Sequence, residues 1–171
     1  MAAKEASRTS RVQQSYQQLS VASNILNTAS DKLSKSIVEL EGSLRRLGLG
    51  ITSWVAFTTS HSREQMQYSF DEVGYAKSGG KWGLHIRTRS GHEGMDEDDV
   101  EQWPFNEAPR ALRVRAVAKI PNLLDELVKD ATAAAKNIAE KAAEVEELSA
   151  AMNTIPREAQ SPQTEEEVDG Y

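Results

Sequence analysis

Cysteine is absent from the 171 residues, which excludes disulfides, thiolate zinc sites, iron–sulfur ligation and a cysteine nucleophile. Aromatic residues are few, with three Trp, four Tyr and three Phe, and none of the five prolines falls between Arg8 and Leu47. Few rings leave little material for a large core, and a long proline-free run suits an uninterrupted helix. No apolar run approaches the ~20 residues of a membrane span, and the first 30 residues lack a signal-peptide core. The longest apolar patch, Trp54, Val55, Ala56 and Phe57, suits a buried strand. The expectation is a soluble, cytoplasmic protein with no membrane partner.

What is present is mostly polar: hydrophobic residues make up 39% and charged residues 27% of the chain. The net charge of -6 is unevenly spread, with seven Lys/Arg and four Asp/Glu over residues 1–47, nine and ten over 48–121, and four and twelve over 122–171. A mildly basic start and an acidic end attract each other if their helices lie side by side.

Leucine recurs every seventh residue at Leu19, Leu26, Leu33, Leu40 and Leu47. Taking these as d positions places Tyr16, Ser23, Ser30, Ile37 and Leu44 at a, so Leu19, Leu26, Leu33, Ile37, Leu40, Leu44 and Leu47 form a candidate association seam. The e and g flanks are small and mostly uncharged (Ser20, Asn27, Ser34 and Glu41; Ala22, Ala29, Ser36 and Ser43), which favours bundle packing over a simple charged zipper. Gly48 and Gly50 supply the stop. The helix is expected over 8–47, roughly 60 Å long at ~1.5 Å per residue, behind a flexible segment over 1–7.

From Ile51 the periodicity changes to alternation. Three strands are expected, around Ile51 to Thr58, Tyr68 to Lys77 and Trp82 to Thr88, the last two joined by a tight hairpin at Gly79 and Gly80. Trp54, Phe57 and Trp82 are expected to make a small core beneath Val114 and Val117, with His85 on the opposite surface. Residues 91–106 read as an acidic loop closing the β head over 48–106. A helix capped by Asn106 is then expected from 107 to 152, kinked at Pro121 and carrying an alanine-rich 4-3 stripe through Leu124, Val128, Ile138, Ala142, Val145 and Met152. Residues 153–171 read as a disordered acidic tail. The fold expected is α+β: two long antiparallel helices, a coiled-coil-like hairpin, bracketing a three-stranded antiparallel β-meander.

The chemistry in this sequence is sparse. Neither GxxxxGK[ST] nor GxGxxG is present, and no local motif selects a nucleophilic serine near the three histidines. His92, Glu93, Asp96, Asp98 and Asp99 lie close together, but their spacing does not match an EF-hand loop, and a solvated acidic loop is the simpler reading. No cofactor or metal is expected. The reading is a non-catalytic protein that self-associates, or binds a protein partner, through its long helices. The alternative is a nucleic-acid-binding module in which Arg87, Arg89, Arg110, Arg113 and Arg115 form one basic patch beside Trp82 or Tyr75.

Overall fold

The computed structural model describes residues 2–62, 67–92 and 98–153, with side chains from Arg8 onward. The chain divides into two units, Met1–Ala131 and Thr132–Tyr171. The expected tail over 154–171 lies outside the described residues.

Helix α1 (Ala2–Leu47) covers the leucine heptads and ends where the glycines follow; the Gly48 N–H bonds the Arg45 carbonyl at 3.1 Å. Four antiparallel strands follow in spatial order β1 (Ser53–Ser62), β2 (Gln67–Ser78), β3 (Lys81–His92) and β4 (Asp99–Pro104). The β2–β3 hairpin turns at Gly79 and Gly80, whose φ angles of 55° and 82° a side-chain-bearing residue adopts only under strain. That turn fixes the register, so Val73 lies opposite Ile86, and Glu72 opposite Arg87. A bulge at Phe57 shifts the β1 register between Ala56 and Thr58.

The fourth strand corrects the three-stranded expectation. It lies in the stretch read as an acidic loop, where Trp103 pairs with Ile86 and packs against the core. Asp99 and Glu101 are tolerated because β4 is an edge strand with both carboxylates exposed.

Two further boundaries move. A short 3-10 turn (Phe105–Glu107) precedes helix α2 (Arg110–Val117), and helix α3 (Ile120–Asn153) starts afresh with Pro121 in its first turn. Asn106 does not cap a helix; its side-chain amide donates to the Ser34 carbonyl at 3.1 Å and ties the turn to α1.

The core lies on one face of the sheet. Val73, Tyr75, Leu84 and Ile86 are buried together with Ile37 and Leu44 of α1, Phe105, Ala116 of α2, and Leu123 and Leu127 of α3. The Ser53 hydroxyl donates to Asp130 at 2.7 Å and adds a polar tie between β1 and α3. Val114 and Val117 are exposed, so the expected core changes sides: α2 turns Ala116 and Arg113 inward instead. Trp82 does reach the core and stacks on Tyr75 at 5.5 Å.

Strand alternation sends Trp54 to the opposite face. There its ring lies across Gly74, where any Cβ would overlap it. His85 shares that face yet is buried, and its Nδ1 lies 3.0 Å from the Gly83 carbonyl, so it is not the surface histidine expected.

Candidate functional site

The leucine seam of α1 has two fates. Leu33 and Leu40 are half-buried and Ile37 and Leu44 are buried, all packed on the core. Towards the N-terminus the same register is open: Tyr16, Leu19 and Leu26 are exposed, the last two at 67% and 49%. Leu47, the final member, is exposed as well. Val21 and Ile25, off the a/d seam, are also exposed, so this half of α1 presents apolar side chains on more than one side.

The stripe of α3 is likewise open, with Ile138, Val145 and Met152 exposed and Asn137, Ile138, Lys141, Ala142, Val145 and Glu146 lining a shallow groove. Within the first unit the second half of α1 packs on the β-sheet, which offers a wider apolar surface than an alanine-rich helix does.

The five arginines do not converge on one patch. Arg87 and Arg89 sit on the sheet face away from the core, each facing an acid and a ring. Arg87 Nε donates to Glu72 at 2.6 Å while its guanidinium lies 3.9 Å above the Trp54 ring. Arg89 Nε lies 3.7 Å from Glu72 and 3.8 Å from Asp98, with Phe70 beneath it. Arg115 reaches across from α2 to Asp71 at 3.6 Å and to the Thr58 hydroxyl. These three charges are answered within the sheet, at fractions of a kcal/mol for such partly exposed pairs.

Arg113 and Arg110 differ. Arg113 is buried between α2 and α1, donating to the hydroxyls of Ser34 and Ser30 at 3.2 Å each, and its Nε has no hydrogen-bond partner among the described residues. Arg110, three residues earlier and exposed, donates to Asn27 Oδ1 at 3.2 Å. Neither has a carboxylate partner among the described residues. Tyr75, proposed for base stacking from the sequence, is buried beneath Trp82 and presents no free ring face.

Two tyrosines are perturbed. The Tyr68 hydroxyl donates to Asp98, and this bond to a carboxylate holds its pKa above the usual value of 10.0. Burial does the same for Tyr75. Among the described residues no cluster of His, Asp and Glu is arranged to hold a metal ion. Glu93 and Asp96 lie outside the described residues, while His92 Nε2 is 2.8 Å from the Gln67 amide nitrogen. Among the described residues no helix is long and apolar enough to cross a membrane.

No protein-family model matches the chain, and no curated protein or solved structure matches it either.

The pairing of Glu72 with Arg87 was accessible from sequence: once the hairpin turns at Gly79 and Gly80, counting back from Ser78 opposite Lys81 sets those two residues face to face. The pairing of Arg113 with Ser30 and Ser34 had no such signal, since it depends on where α2 docks along α1.

Proposed function

We propose that this protein is a non-catalytic association module in which the α+β body orients helical surfaces that join to further copies of the chain. One observation carries the reading. A single heptad register on α1 is buried on the sheet from Leu33 to Leu44 and left open at Tyr16, Leu19 and Leu26. An apolar stripe sustained beyond the surface that it covers within its own chain suits a partner helix. Val21 and Ile25 favour a bundle over a two-helix zipper, because a partner on the a/d seam leaves them uncovered.

The nucleic-acid reading draws less support. Arg87, Arg89 and Arg115 are engaged by Glu72, Asp98 and Asp71, which offset the positive potential that phosphates need.

Sedimentation velocity tests the proposal. The expected result is an oligomer that Leu19→Asp with Leu26→Asp reduces to a folded monomer, since both side chains are exposed in the single chain. A wild-type chain that sediments as a monomer at about tens of micromolar overturns it.

A further inference from the structure

The open stripes are each bordered by charges that have no oppositely charged partner among the described residues. On the sheet every arginine described has a carboxylate nearby: Arg87 and Arg89 share Glu72, and Arg89 also faces Asp98. Among the described residues Arg110 and Arg113 have the amide oxygen of Asn27 and the hydroxyls of Ser30 and Ser34, and no carboxylate. A guanidinium as buried as Arg113, at 8% exposure, ordinarily has an acid to offset its desolvation. These three contact residues on α1 lie in the turns directly following Leu26, where the exposed stripe gives way to the buried one.

The converse holds on α3. Lys141 pairs with Glu144 at 2.6 Å, and Lys136 lies 4.0 Å from Glu140, but Glu146 and Glu147 have no ion-pair partner among the described residues. Glu146 borders the groove that also contains Ile138 and Val145. Over 132–153 the helix carries two lysines and four glutamates, whereas over 8–30 α1 carries Arg8 and Arg11 and no acid.

From this complementarity, and resting on the self-association reading above, we infer that the exposed half of α1 receives the second half of α3 from another copy of the chain, with the exposed Arg110 as the anchor for Glu146. The apolar spacing fits. Leu19 and Leu26 are seven apart, as are Ile138, Val145 and Met152. Setting Val145 against Leu26 therefore brings Ile138 against Leu19 if the helices run parallel, and Met152 against Leu19 if they run antiparallel. In either direction Glu146, next to Val145, comes level with the turn of α1 that holds Asn27, the residue Arg110 contacts. Such a contact is heterologous, joining different surfaces of two copies, so it closes into a ring or a reciprocal dimer, or extends as a filament.

Charge reversal and its rescue test the anchor in the full-length chain. Arg110 is exposed, so Arg110→Glu is expected to fold normally and to weaken association at least about tenfold by setting like charges together. Glu146→Arg is expected to do the same, and combining the α1-side and α3-side reversals is expected to restore association towards the wild-type level. If Leu26→Asp abolishes assembly while Arg110→Glu leaves it unchanged, or if the combined variant is no better than either reversal alone, the anchor is overturned and the helix-mediated reading stands. A wild-type chain that is monomeric overturns both.

Discussion

The two halves of α1 share one heptad pattern and differ in everything that surrounds it. From Leu33 to Leu44 the stripe meets Leu84, Ile86 and Phe105 and becomes part of the core, whereas from Tyr16 to Leu26 the same spacing is open to solvent. A heptad specifies that a face needs covering, and the height of the sheet along the helix decides which residues its own chain covers. The largest effect expected from mutation follows from that division. Ile37→Asp should unfold the first unit, because it buries an unpaired carboxylate at a position 3% exposed. Leu26→Asp, about half exposed, should leave the melting temperature of a monomeric sample nearly unchanged. Circular dichroism melts of the two variants make the comparison, and equal losses would show that the stripe is not divided as described.

The sheet faces form a second, smaller contrast. One is covered by helices; on the other, among the described residues, the sheet's own side chains lie over it, with Trp54 across Gly74 and Arg87 stacked above. Gly74→Ala should displace that ring and cost about 1–3 kcal/mol, as overpacking does. The tryptophan emission should shift to the red at the same time. An unshifted spectrum with unchanged stability would mean that the ring is free to move aside.

Much of this was legible in the residues, for identifiable reasons. The long helix followed from leucine spacing and the absence of proline, and the β2–β3 hairpin from two consecutive glycines between alternating segments. Strand β4 was hidden because its acids outweighed Val100 and Trp103 in composition, although an edge strand needs only one side chain directed at the core. Charge complementarity between two helices does not say whether they belong to one chain or to two, so it was no ground for an antiparallel hairpin. The single basic patch failed for a similar reason: sequence proximity of Arg110, Arg113 and Arg115 ignores the turn of helix that sends Arg113 to α1 and Arg115 to Asp71.

The seat of Arg113 sharpens the contrast between the two ends of α1. Ser30→Ala with Ser34→Ala removes both oxygens to which its guanidinium donates, leaving a buried cation with fewer partners, and should cost about 1–3 kcal/mol. Arg113→Met on that background should recover much of the loss, since a flexible apolar side chain fits the vacated space without the charge. Urea melts of the double and triple variants decide it. If the double variant is as stable as wild type, the hydroxyls are not what holds α2 against α1.

The smallest effect concerns Tyr68 and Tyr75, one on each side of the sheet. Both pKa values are raised above 10.0, by the bond to Asp98 and by burial respectively. A tyrosine that holds its proton more tightly when folded contributes stability that is fully present below its unfolded pKa of about 10 and is lost as pH rises through the folded value. Stability should therefore be insensitive to these groups at neutral pH and fall above about pH 10. Phenolate absorbance followed through an alkaline titration should show a component displaced above 10, and Tyr68→Phe should reduce that component while leaving the neutral-pH melting temperature close to wild type, because the Tyr68–Asp98 bond is exposed. The buried ring of Tyr75 should account for what is left, so the displaced component should then titrate together with the loss of the near-ultraviolet dichroism of the core. A displaced component that vanishes entirely in Tyr68→Phe would mean that Tyr75 is open to solvent and that the two sheet faces are less different than their packing implies.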